Sequence, residues 1–495
     1  MKKLNIVYVA SEVTPYSKTG GLADVAGALP QELASLKNKV VLFSPRYSSV
    51  DRKKYDLFDV PDFGSLSLTV AGREYKFGLL KRNVKTPGLE TYFIDSAELF
   101  GRNGLYQDPV TVKDYPDNDI RFVMFAKAVL LSLEKLGFKP DIVHANDWQT
   151  AMVIAYLKTI ERENPFFAGA KSVLTIHNVA YQGLFPAERF DRLGLDRSLL
   201  YPMSPFEYWG KVNLLKAGIV YADIVTTVSK TYAEEIQTTD DYGYGLEGVL
   251  RDRRSVLFGV VNGADYELWS PERDILIAKK YDINTLEEKD ANKQKLLLVS
   301  KLGKDRLDKP LIGVISRLAP QKGFDLIEEI AEELFALDFT FVLLGTGDKV
   351  YHKLFEDLQT KHPDRIKVNL TFDNTLAHQI EAGADMFLMP SRYEPCGLNQ
   401  LYSLKYGTVP VARKTGGLAD TIIDETTNKG KGTGFLFEEY EGEALLKCVQ
   451  DALAFYRNKR SWKSLMKRGM KKDFSWKKSA KEYLALYARA LEGLA

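Results

Sequence analysis

Cysteine is nearly missing: Cys396 and Cys448 are the only two in 495 residues. Two thiols cannot build a disulfide framework, so a reducing compartment is the default, and a cytoplasmic protein is expected. Long apolar runs are missing too. The opening stretch 4–10 is short, contains Asn5 and runs into Ser11-Glu12, so it reads as a buried strand rather than a signal peptide or membrane span. An excess of either charge is absent: 68 basic residues face 66 acidic ones, for a net charge of +2. That balance offers no broad field to nucleic acid or an anionic membrane, and neither is expected as a partner. There is no H-E-x-x-H and no second Cys/His pair at ligand spacing, so no metal site is expected.

What is present suits a two-domain globular protein. The chain is too long for one typical domain, and 45% hydrophobic residues suffice for two cores. Short apolar runs at 4–10, 39–44, 142–144, 172–176 and 224–228 alternate with helical patterns such as 120–136. A second set of runs lies at 311–316, 340–345, 366–370, 386–390 and 409–412, with a helix over 324–336. Such alternation means parallel sheets covered on both faces, hence two open α/β domains facing each other across a deep cleft. The Asn262-Gly263 turn and a charged, Lys-rich stretch at 282–309 separate the sets, placing the boundary near 255. The expected domains are 1–255 and 256–475, with an amphipathic helix 476–495 returning to the first.

Ligands of such sheets sit beyond the carboxyl ends of the strands, so the loops there are the places to search. Lys18-Thr19-Gly20-Gly21-Leu22-Ala23-Asp24 pairs two glycines and a lysine with a helix start, which suits a phosphate; alone, it reads more readily as a glycine-rich turn with a surface lysine. Pro30 should kink or end that helix. Arg317 and Lys322 flank a tight turn and could neutralise a departing diphosphate, or could simply be solvated cations. Glu394, stiffened by Pro395, could accept from sugar hydroxyls or cap the helix that starts at Asn399. Cys396 reads as a small buried residue rather than a nucleophile. His177 and Asp147 each follow a strand, and Trp148 could stack on a sugar face. The stretch 242–248 reads as a mobile loop or as plain surface.

The motifs in order, KTGGLADV, HANDWQT, TIHNVAYQG, VVNGAD, SRLAPQKG, PSRYEPCGLNQ and a second TGGLADT at 415–421, resemble those of bacterial glycogen synthases and plant starch synthases. The resemblance implies two Rossmann-like doubly wound domains of the GT-B type and a retaining glucosyltransferase. It would move glucose from ADP-glucose to the non-reducing end of an α-1,4-glucan, glycogen or malto-oligosaccharide, without a cofactor. Carried over residue by residue, it implies catalytic roles for Lys18, His177, Arg317, Lys322 and Glu394. Substrate binding would fall to Gly20, Gly21, Asp24, Asp147, Asn262, Cys396, Gly397, Leu398, Thr415, Gly416 and Gly417. Asn146 and Gln149 stand where the family often has histidine, which takes chemistry away from those two side chains. A glucan phosphorylase and a silent glucan-binding protein are the competing readings.

Overall fold

The computed structural model describes residues 3–493. Met1, Lys2, Leu494 and Ala495, at the ends of the expected first domain and closing helix, lie outside the described residues. The chain divides into two compact units: Met1–Val228 with Ala233–Val260 and Trp476–Ala495, and Ser229–Tyr232 with Val261–Ser475.

In the second unit six strands pair in the order Ile366–Asn369, Thr340–Leu344, Leu311–Ile315, Met386–Met389, Val409–Arg413, Phe435–Phe437, all parallel. Numbered by sequence this is 3-2-1-4-5-6, the doubly wound order in which winding reverses between the first and fourth strands. Alternate residues of one strand enter different cores. Phe341 and Leu343 join a cluster with Phe324, Phe355 and Val449, whereas Val342 and Leu344 join Leu296, Ile380 and Leu418. Period-two side chains with both sets buried are what a sheet covered on both faces requires.

The first unit repeats this plan. Leu257–Gly259, Ile224–Thr227, Lys171–Ile176, Ile142–Asn146, Asn5–Val9, Lys39–Pro45 and Leu89–Asp95 form its parallel part, with the reversal between Asn5–Val9 and Ile142–Asn146. An antiparallel extension of Arg73–Arg82, Leu57–Asp59 and Leu66–Val70 continues the sheet. A separate three-stranded antiparallel sheet joins Glu207–Tyr208, Lys211–Asn213 and Leu184–Pro186. Helix Trp476–Leu491 packs on helix Gly21–Ser35, and its Tyr487 hydroxyl lies 2.6 Å from Nδ1 of the fully buried His144.

Three local features refine the sequence reading. Pro30 does not end its helix, which runs from Gly21 to Ser35. The lost N–H bond is offset by burial of Leu22, Val25, Leu29, Pro30 and Leu33 against the unit's core. The helix over 324–336 is two, Phe324–Glu329 and Ala331–Ala336, parted at Ile330, whose side chain lies against Gly442. The Lys-rich stretch falls within the second unit and is partly buried: helix Lys289–Val299 buries Lys289, whose ammonium donates to the carbonyls of Glu381 and Ala382 and to Thr408, and Lys293, paired with Asp385 at 2.7 Å.

Candidate active site

Both reversal points carry the loops singled out above. In the second unit, strand Leu311–Ile315 leads into Ser316-Arg317 and strand Met386–Met389 into 390–398, so the two loops leave adjacent strands. Gly323 brings them together. Its φ is +72°, and a Cβ there would lie 1.9 Å from the Pro390 carbonyl oxygen, so only glycine allows this approach. Arg392 N–H donates to the Gln321 carbonyl at 2.9 Å and the Gln321 side-chain amide to the Tyr393 carbonyl at 3.2 Å.

These ties set Lys322 Nζ 2.6 Å from Glu394 Oε2, with the side chains 20% and 7% exposed, and Ser391 Oγ donates to the same oxygen at 3.0 Å. Glu394 therefore does not cap helix Asn399–Tyr406, whose N-cap is Leu398. Arg317 is exposed, and among the described residues its guanidinium has no hydrogen-bonded partner, only its carbonyl accepting from Ser316 Oγ at 3.1 Å. One cation is thus anchored on a carboxylate and the next is free to meet an anion.

The remaining residues of this unit assemble behind Glu394. Gly417 N–H donates to the Glu394 carbonyl at 3.0 Å. A Cβ on Gly416 would lie 2.1 Å from that same oxygen, and one on Gly417 2.0 Å from the Cys396 carbonyl. Thr415 is buried beside them. Cys396 takes a hydrogen bond from the Asn262 backbone, and burial pushes its thiol up to about 12, which leaves it unreactive. Gly397 adopts φ +72°, and Leu398 opens the following helix. The Asn262 side-chain oxygen is buried without a hydrogen-bond partner, an acceptor left open at this place.

In the first unit the loop after Asn5–Val9 is organised by Glu12, which sequence reasoning passed over. This buried carboxylate accepts from the Thr19 backbone N–H, from Thr19 Oγ1 at 2.9 Å, from Gly20 N–H at 3.3 Å and from the Tyr106 hydroxyl at 3.1 Å. Burial raises its pKa above the usual carboxylate range. Its only sequence signal was an acid directly following a buried strand. Lys18 pairs with Asp24 at 2.7 Å and stays half exposed. Gly20 and Gly21 have nothing within 4 Å of where a Cβ would stand. The two TGGLAD copies thus differ: the glycines at 416–417 are required by the chain's own packing, and those at 20–21 face open space.

Strand Ile142–Asn146 delivers Asp147 as the first residue of a helix, in a left-handed conformation of φ +56°. Its Oδ1 accepts the His177 backbone N–H at 2.7 Å, and His177 Nε2 lies 3.0 Å from Asn146 Oδ1. Burial lowers His177 to about 3, so it works as a neutral imidazole. Burial, with the Glu12 charge adding to it, raises Asp147 to about 7. Trp148 is not a sugar platform: it is 8% exposed, with Phe122 and Phe185 against it and Gly183 directly over the ring. The stretch 242–248 is held in place, its Tyr244 carbonyl accepting from Gln182 and from the Tyr208 hydroxyl.

The raised Asp147 has a measurable consequence. A carboxyl whose folded pKa exceeds its unfolded one adds stability below the unfolded value and loses it as pH rises through the folded value, here from 3.8 to about 7. Asparagine removes the buried charge and tolerates positive φ. Asp147→Asn should therefore raise the melting temperature by about 2–4 °C at pH 8, with the gain shrinking toward pH 4. A gain equal at both pH values in thermal unfolding would contradict this.

Residues 5–252 match the family model described as the starch synthase catalytic domain, and 301–465 that of glycosyl transferases group 1. The glycogen synthase of Koribacter versatilis is 47% identical over 98% of both chains, and that of Thermotoga maritima 43% identical over 99% of both. Among solved structures, the catalytic domain of starch synthase IV from Arabidopsis thaliana, bound to ADP and acarbose, superposes with a TM-score of 0.89 at 32% identity, covering 99% of this chain and 100% of that one. The sucrose-phosphate synthase of Thermosynechococcus elongatus, at 17% identity and a TM-score of 0.59 over 98% and 99% of the two chains, shares the fold alone.

Proposed function

The chain belongs to the glycogen and starch synthase family, and from that premise we propose that Arg317 and Lys322 stabilise the diphosphate leaving a nucleotide-activated glucose. The protein is a glucosyltransferase of the GT-B fold that builds α-glucan from a nucleotide-sugar donor. The observation that carries the proposal is the unpartnered Arg317 guanidinium in the same loop as Lys322, the cation paired with Glu394, at the sheet's reversal point. As the bond from glucose C1 to the phosphate oxygen breaks, charge develops on that oxygen, and preoriented cations lower its energy. The acceptor's 4-hydroxyl attacks C1 from the same face, and its proton passes to the departing phosphate oxygen. Glu394, held by Lys322 and Ser391, accepts from glucose hydroxyls and does not act as nucleophile. Neutral His177, fixed through its backbone on Asp147, offers a hydrogen bond to a substrate hydroxyl.

The finer assignments belong to this proposal: ADP-glucose as donor, glycogen or malto-oligosaccharide as acceptor, 1–255 on the acceptor side, 256–475 on the nucleotide side, and a cytoplasmic location. ADP in the Arabidopsis starch synthase supports the adenine base. Among the described residues no helix is long and apolar enough to cross a membrane. Turnover of ADP-glucose against UDP-glucose with maltotriose tests the donor: the reading expects faster turnover of ADP-glucose, and equal or reversed rates would refute it.

The two glycine pairs give a second test. Gly21→Ala meets nothing and should hold stability within about 0.5 kcal/mol while losing most turnover, because its methyl group intrudes on the donor. Gly417→Ala forces a methyl group into the Cys396 carbonyl and should destabilise by about 1–3 kcal/mol. Full activity in Gly21→Ala would remove that loop from the site.

A further inference from the structure

In the first unit, Trp209 and Gly210 form the two-residue turn of the hairpin in which Tyr208 pairs with Lys211. Both have positive φ, +49° and +73°, the mirror-image turn that favours Asn-Gly. A tryptophan there is strained, and this one is also 84% exposed. Met203 repeats the combination, with φ +66° and 89% exposure. Neither residue gains burial in exchange for its conformation, so packing does not explain them.

The backbone beneath is firmly built. The Glu207 carboxylate accepts from Met203 N–H at 3.1 Å and from Gly210 N–H at 2.9 Å, which ties the two exposed side chains to one corner. Buried Lys216 donates to the carbonyls of Ser204 and Glu207, and the Tyr208 hydroxyl to that of Tyr244. The hairpin is continuous with the candidate site. Leu214 N–H donates to the Gly183 carbonyl at 3.2 Å, and Asn213 Nδ2 to Gln182 Oε1 at 2.7 Å, so the sheet is fastened to the loop that begins at His177.

We propose that Trp209, with Met203 beside it, is a docking point for a distal stretch of the α-glucan polymer, holding long chains while their ends are extended. The inference rests on the glucan-extending reading above. A rigid, exposed indole offers an apolar face to the C–H face of a glucose ring at little entropic cost, and a polymer can engage it without occupying the reacting end.

The probe is glycogen cast into a native gel, with maltotriose turnover measured in parallel. Trp209→Asn suits the turn, so its melting temperature should stay level or rise. Its affinity for glycogen should fall about tenfold, and maltotriose turnover should stay within about twofold of wild type. Trp209→Tyr should keep part of the retardation. Unchanged retardation of Trp209→Asn overturns the proposal. So does a change in its oligomeric mass by light scattering with glycogen affinity intact, which would make the hairpin a contact between copies. Failure of the wild type to extend maltotriose at all would instead bring down the underlying reading.

Discussion

Arg317→Ala lowers kcat by about 10²–10³ and leaves the melting temperature within about 1 °C of wild type. The two halves of this result come from one fact: the Arg317 guanidinium is exposed and holds no hydrogen-bonded partner among the described residues, so truncating it takes nothing from the fold. The guanidinium's one use is then an external anion. A planar fork matched to phosphate oxygens acts most when charge has built up on the leaving group, so the loss falls on kcat more than on KM. Steady-state kinetics with ADP-glucose, beside thermal unfolding, checks both halves. A stable variant with wild-type kcat would strip Arg317 of its role.

Lys322 and Glu394 behave differently because they hold each other. Lys322→Ala leaves a carboxylate only 7% exposed without its cation, which costs about 3 kcal/mol, at the low end for a buried pair because the lysine keeps 20% of its side chain exposed. It also lowers kcat by about 10²–10³. Glu394→Gln keeps the shape, loses the charge and should cripple transfer by about 10²-fold. The double variant Lys322→Met/Glu394→Gln recovers much of the stability and none of the activity. A cycle in which stability and activity recover together would mean the pair serves the fold alone.

Much of the fold was legible because the central strands are buried on both faces. Runs such as 340–345 and 172–176 carry no polar alternation to confuse them with anything else of that length. The antiparallel extension escaped notice for the opposite reason: Leu66–Val70 alternates Leu and Val with Ser and Thr, and of its five residues only Val70 is buried, so no continuous apolar run marks it. The burial within the Lys-rich stretch was not legible because lysine is so seldom buried, whereas Lys289 and Lys293 find carbonyls, a threonine hydroxyl and a carboxylate inside. Sequence could place Lys322 and Glu394 on loops after strands, but the pairing depends on Gly323 passing over Pro390, a tertiary contact 67 positions apart. The repeated TGGLAD text carried no sign that one copy is wedged against Glu394 and Cys396 while the other lies open. Glu12 was hidden for a similar reason, since its worth lies in the four groups that reach it after folding.

The central claim is that the protein transfers glucose with its configuration kept, the cations of the second unit easing the diphosphate away. Incubation with ADP-glucose and maltotriose, read by proton NMR of the new linkage and by ADP release, tests it most directly. One ADP per added glucose and an α-linked maltotetraose are predicted. A β-linkage, or ADP released without chain growth, would contradict it.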